Sequence, residues 1–323
     1  MATARLNAAL KVAPRPVTPQ RMAARNLRHD LDLTTPELAS LLTLAAAVKE
    51  SPAQYAQALD GTYLSLLFEK PSLRTRMTFE LAIKQLGGDA VLSVGRIADR
   101  EPIKDIARNL DRWTGGIVAR TFSQHTIDDL ATWANVPVIN ALSDFYHPCQ
   151  ALADFQTLTE RFGSLDGLKL AFVGDGNNVA HSLMLDAARL GVHFAAATPT
   201  GYTPQPSVVE RALEFAAESG TEITITNDPV TAVAGAHAVY TDVWASMGQE
   251  NEALPRRMLF RPWQVNEKLM AAARPDAVFM HCLPAHRGDE VTDPVIESAQ
   301  SVVFEQAENR LHAQKALLLM LLA

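Results

Sequence analysis

Cysteine is the scarcest informative residue here. Cys149 and Cys282 are the only two in 323 residues, and their separation fits neither a disulfide framework nor a paired-cysteine metal site. A reducing compartment follows as the expectation, so the chain is read as cytoplasmic, with no metal. Long apolar runs are also missing. The longest, Ala316 to Ala323, is far too short to cross a bilayer, and no membrane partner is expected. An excess of basic charge is absent too. The net charge of −7 argues against general nucleic-acid binding. The first 29 residues hold six Lys/Arg and no Asp or Glu, yet they lack serine and carry three prolines. That composition suits a flexible N-terminal extension over residues 1–26 better than a transit peptide. Internal repeats and low-complexity tracts are not found elsewhere.

What is present is the composition of a globular protein, 48% hydrophobic and 20% charged, long enough for two domains with separate cores. Leu38, Leu41, Leu42, Ala45 and Val48 give a helix over 36–49, capped by Thr35 with Pro36 at its first position. Apolar strands are expected at 63–68, 90–94, 116–120 and 138–142. After a linking helix from 154 to 162, the text settles into strand–helix alternation. Strands are expected there at 167–173, 193–197, 222–226, 238–242, 277–282 and 301–304. The fold class is therefore α/β, with two domains that are each a mostly parallel sheet flanked by helices.

The chain is organised around Phe68-Glu69-Lys70-Pro71-Ser72-Leu73-Arg74-Thr75-Arg76, which joins the first strand to a helix ending at Gly87-Gly88. A helix start offers unpaired N–H groups and the positive end of the dipole. Ser72 and Thr75 add hydroxyls, and Arg74 can bind a phosphate through two parallel bonds. The plainer account is a capped helix with solvated arginines. Three donor types within four residues after a buried strand favour an anion site.

Further stretches carry chemistry at strand ends. They are Arg96 to Asp105, Arg120-Thr121-Phe122-Ser123, His147-Pro148-Cys149-Gln150 and Asp242-Val243-Trp244-Ala245-Ser246-Met247-Gly248. The last is His281-Cys282-Leu283-Pro284-Ala285-His286-Arg287-Gly288. Singly, Arg120 reads as a surface charge, His147 as a cap, Asp242 as a loop carboxylate and Cys282 as a small core residue. In open α/β sheets, however, ligands bind beyond the carboxyl ends of strands. Gly174-Asp175-Gly176 opens like a dinucleotide fingerprint, but Val179 stands where its third glycine belongs. A nicotinamide-dependent dehydrogenase would also leave Ser72–Arg76 and His147–Gln150 without a task, so no cofactor is expected.

Taken together, in this order, these motifs resemble the aspartate/ornithine carbamoyltransferase family from about Leu27 onward. Asp-Val-Trp-x-Ser-Met-Gly and His-Cys-Leu-Pro-Ala resemble its ornithine-using branch. Leu73 departs from the usual Thr, and Arg96 stands where Gln is common. The resemblance implies transfer of a carbamoyl group from carbamoyl phosphate to the δ-amino group of L-ornithine. It places Ser72, Leu73, Arg74, Thr75, Arg96, Arg120, His147, Gln150 and Arg310 at the carbamoyl phosphate. It places Asn178, Asp242, Ser246, Met247, Cys282 and Leu283 at ornithine. His147 would donate to the developing oxyanion and Gln150 would accept from the carbamoyl amino group. Arg120, His147, Asp242 and Cys282 form the catalytic group, with Cys282 as thiolate a modest base. The family also implies a carbamoyl phosphate domain over 27–153 completed by a C-terminal helix over 305–323, and an ornithine domain over 154–304. Homotrimers or their multiples are implied in the same way. A catalytically silent relative remains the alternative.

Overall fold

In the computed structural model of the chain, residues 17–245 and 250–323 are described. Four strands, β1 (Tyr63–Phe68), β2 (Asp89–Val94), β3 (Gly116–Arg120) and β4 (Val138–Leu142), form one parallel sheet in the order β2-β1-β3-β4. Five more form a second parallel sheet in the order β7-β6-β5-β8-β9. These are β5 (Lys169–Val173), β6 (His193–Ala197), β7 (Ile223–Thr226), β8 (Ala238–Thr241) and β9 (Val278–His281). Near-continuous apolar runs explain the buried inner strands, since crossover helices cover both faces. In each sheet the chain reverses direction of growth once, between β1 and β3 and between β5 and β8. Those reversals open crevices at the carboxyl ends of the strands.

Three helices belong to both cores, one of them Thr35–Glu50, which gives Leu42 to the second and Leu38, Leu41 and Leu44 to the first. Pro148–Phe162 gives Cys149, Leu152 and Ala153 to the first core, and Ala151, Phe155 and Leu158 to the second. Val303–Leu322 begins against the second domain through Val303 and ends in the first through Ala313 to Leu321. Residues 17–26, counted above with the extension, pack on the first domain. Met22 N–H bonds Met320 O at 3.0 Å, and Leu27 then bridges to Ile139.

The first helix runs Thr35–Glu50, and its cap is Thr34 rather than Thr35. Thr34 and Glu37 form a reciprocal capping box, which moves the start back one residue. The strand expected at 301–304 does not form. Ser301 makes a single bridge to Phe279, and the chain then turns into the C-terminal helix at Val303. Its apolar Val-Val-Phe run serves a helix start instead, so strand propensity yields to packing.

Candidate active site

Five of the six chemically loaded strand ends meet in one cleft of about 870 Å³ between the two sheets; the Arg96 to Asp105 stretch does not line it. Its first wall is built by the turn after β1. Glu69 braces that turn: its carboxylate accepts the Ile97 N–H at 3.0 Å and the Phe122 N–H at 2.9 Å, tying three loops together. The following helix, Arg74–Gln85, has Leu73 at its cap position and no side chain capping it. Its first-turn N–H groups are therefore offered to the cleft, where Ser72, Leu73, Arg74 and Thr75 line the wall.

Charge of one sign accumulates here. Thr75 Oγ1 accepts from Arg120 at 3.4 Å and from Arg310 at 3.2 Å, so two guanidiniums from distant elements sit on one hydroxyl beside Arg74. Burial and then the Arg310 charge bring Arg120 down to about 10, and burial lowers Arg310 and Arg74 as well. Crowded, partly desolvated cations of this kind favour a multiply charged anion. His147, at the cap of Pro148–Phe162, is held well below the usual imidazole range by burial, Arg310 and Arg120. It is thus a neutral ring, able to donate one N–H without bringing a further positive charge. Its Nδ1 is buried without a partner among the described residues, while its backbone N–H is held by Ser182 Oγ at 3.0 Å. Gln150, one turn on, accepts from Arg310 at 2.6 Å.

The second wall comes from the ends of β5, β8 and β9. Asp242 takes three bonds: Asn177 Nδ2 at 2.8 Å, its neighbour Val243 N–H at 2.8 Å and the Cys282 thiol at 3.0 Å. Desolvation and the Asp242 carboxylate push the Cys282 thiol well above its ordinary value. The expectation of a Cys282 thiolate base is corrected accordingly: the sulfur is a protonated donor that fixes Asp242. Asn178 lines the cleft with its amide donated to Ser143 O at 2.7 Å, a link between the domains. Leu283 also lines the cleft. Its φ of 56° is left-handed and costs a bulky residue on the order of 1–3 kcal/mol, a cost that clusters at functional sites.

The fingerprint-like turn proves closed to a pyrophosphate. Gly176 donates its N–H to Tyr202 O at 2.8 Å, and Asn177 caps the next helix by accepting from Val179 and Ala180. The donors that a dinucleotide needs are already used. Of the residues expected at the site, Arg96 is exposed and does not line the cleft of its own chain. Ser246 and Met247 lie outside the described residues. The Asp242, His281 and Cys282 donor atoms lie within 4.8 Å of one another. Both ring nitrogens of His281 are committed, Nδ1 to the Leu283 N–H and Nε2 to Glu290. The sequence motifs missed Asn177, Asp154, Gln306 and Tyr240. Only a spacing of four, Gln150 to Asp154 and Gln306 to Arg310, hinted at the last group.

Two family models cover most of the chain. Aspartate/ornithine carbamoyltransferase, carbamoyl-P binding domain, matches residues 25–160, and the Asp/Orn binding domain of the same family matches residues 166–321. A curated ornithine carbamoyltransferase from Thermococcus kodakarensis is 52% identical over 302 residues, covering 92% of this chain and 96% of the relative. Among solved structures, ornithine carbamoyltransferase from Pyrococcus furiosus superposes with a TM-score of 0.91 at 49% identity, covering 95% of this chain and 99% of the other. The Thermus thermophilus enzyme of that name gives 0.84 at 46%, with 93% and 99% covered.

Proposed function

The chain belongs to the aspartate/ornithine carbamoyltransferase family, and from that premise we infer that it moves a carbamoyl group from carbamoyl phosphate to the δ-amino group of L-ornithine, giving L-citrulline and phosphate. One observation carries this reading: Arg74, Arg120, Arg310 and a neutral His147 crowd one wall of a cleft whose other wall holds Asp242. The uncapped turn at Ser72, Leu73, Arg74 and Thr75, with Arg120 and Arg310, seats the phosphoryl end. His147 donates to the carbonyl oxygen as charge develops there, and Gln150 accepts from the carbamoyl amino group. The neutral amine attacks the carbonyl carbon. The bond to the phosphate oxygen breaks, and the amine proton passes to the leaving phosphate.

Asn178, Asp242, Leu283 and the Ser246-Met247 segment hold the amino-acid end of ornithine. Cys282 acts through Asp242. The carbamoyl phosphate domain spans 27–153 with the C-terminal helix, and the ornithine domain spans 154–304. The chain works in the cytoplasm as a homotrimer or a multiple of one. Arg96 reaches a phosphate only where subunit contacts bring it to a neighbouring cleft.

Carbamoyl transfer should be measured with ornithine, aspartate, N-acetylornithine and putrescine supplied in parallel. Turnover with ornithine alone is expected. Preference for another amine would keep the phosphate wall and overturn the assignment of the second. No turnover with any of them would leave a carbamoyl phosphate-binding relative.

A further inference from the structure

Behind Gln150, away from the cleft surface, Asp154 collects bonds from two helices. Its Oδ1 accepts from Gln150 Nε2 at 2.8 Å and from Gln306 Nε2 at 2.7 Å. Gln150 lies one turn earlier on the same helix, and Gln306 lies on the C-terminal helix one turn before Arg310. The Gln306 amide is fixed at its other end, since its Oε1 accepts the His281 N–H at 3.0 Å. Its Nε2 also reaches the Tyr240 hydroxyl at 3.1 Å. Asp154 is completely buried and does not line the cleft.

The consequence falls on Gln150, which does line it. An amide side chain has a donor end and an acceptor end that differ little in shape, so its neighbours decide which way it faces. Arg310 has donors only and holds the Gln150 oxygen at 2.6 Å, while Asp154 Oδ1 holds the nitrogen. A flip would set NH₂ against guanidinium and oxygen against carboxylate, two repulsive contacts in a dry site. The Gln150 carbonyl therefore has one fixed direction, with a second lone pair left over. That lone pair suits a ligand N–H and repels a ligand acceptor.

We propose that Asp154 is a positioning residue for substrate choice. By clamping the Gln150 amide, it makes the cleft select an acyl phosphate that carries N–H donors over one that carries a methyl group in their place. This rests on the carbamoyl phosphate reading above. A site built to hydrogen-bond an NH rejects the analogue without it far more strongly than an apolar pocket sorts by size.

The test uses the full chain and two acyl phosphates. Acetyl phosphate keeps the phosphoryl and carbonyl groups and lacks the amino group, so its inhibition constant over the KM for carbamoyl phosphate reports the discrimination. In Asp154→Ala this ratio is expected to fall about ten-fold, the worth of one hydrogen bond to the amino group. The inhibition constant of inorganic phosphate should stay within about two-fold, because Arg310 keeps its bond to the Gln150 oxygen in the variant. Asp154→Asn keeps an acceptor at Oδ1 and should restore the wild-type ratio. An unchanged ratio in Asp154→Ala, or equal weakening of all three ligands, would overturn the proposal in favour of a purely structural role. Should the alanine variant not fold, Asp154→Ser is read in the same way. Wild-type protein without carbamoyl transfer would sink the reaction itself and this inference with it. An active wild type with an unmoved ratio counts against Asp154 alone.

Discussion

Cys282 and Asp242 form one unit at 3.0 Å, and burial with the Asp242 charge, by pushing the thiol's pKa up, keeps it the donor in that pair. Asp30 is another group whose proton is set by burial. It accepts from Ser182 Oγ at 2.7 Å, and that same oxygen holds the His147 backbone N–H, so the carboxyl props up His147 from behind. Burial first, and then the neighbouring Asp186, push Asp30 up to about 8; Arg189 and Ser182 pull it back in part. An unfolded aspartate ionises near 3.9. Between these values the folded protein holds a proton that the unfolded chain has released, so this contribution to stability is full at low pH. It is lost as pH rises toward and through about 8. Asp154, raised to about 7 chiefly by burial, adds a loss of the same sign that finishes earlier. Wild-type urea midpoints should therefore fall from pH 5.5 to 8.5. Asp30→Asn, which cannot ionise, should show a shallower fall. Equal falls in the two proteins would mean that Asp30 is ionised throughout.

Two helix starts face the cleft and differ in one respect, which decides their chemistry. Arg74–Gln85 is uncapped and offers its N–H groups, while Asn178–Arg189 is capped by Asn177, whose amide also grips Asp242. Gly176 sets the second arrangement. A Cβ there would lie 2.2 Å from Pro204 N and 2.5 Å from Thr203 C, both backbone atoms with little room to yield. Gly176→Ala should destabilise the protein by about 1–3 kcal/mol and raise the KM for ornithine more than that for carbamoyl phosphate, since the displaced turn carries Asn177. Urea unfolding and steady-state kinetics check both parts; a normal midpoint with normal KM values would show that the 203–204 segment moves aside freely. What the sequence displayed follows the same division. Loops whose cleft-lining residues are neighbours in the chain, such as Ser72 to Thr75 and Asp242, were legible from spacing and from strand ends. The Asp154–Gln306 and Asp30–Ser182 bonds each join residues 152 apart. Every member of those pairs reads alone as one polar position on an amphipathic helix or in a loop, because only tertiary packing brings them together. The lost strand at 301–304 is a similar case: local propensity was right about apolarity and silent about where the sheet ends.

On the scale of the whole molecule, the first domain leaves an apolar face uncovered among the described residues. Leu73, Met77 and Leu81, four residues apart, stand 72%, 47% and 39% exposed along Arg74–Gln85. Beside that helix runs β2, an edge strand whose Val91 and Val94 are exposed too. A monomer that displays such a stripe next to an unpaired strand edge invites association. The proposed homotrimer gives the stripe an occupant, a second copy of the chain. It also gives Arg96, on the loop that follows β2, a cleft to face. Light scattering should return three times 35.2 kDa, or a multiple of that trimer, for the wild-type chain. Met77→Glu combined with Leu81→Lys places charge on the stripe and should release monomers whose circular dichroism is unchanged. Their carbamoyl transfer should fall steeply if a neighbour completes each cleft, and should persist if each chain is self-sufficient. An unchanged mass for the double variant would move the subunit contact to another face of the first domain.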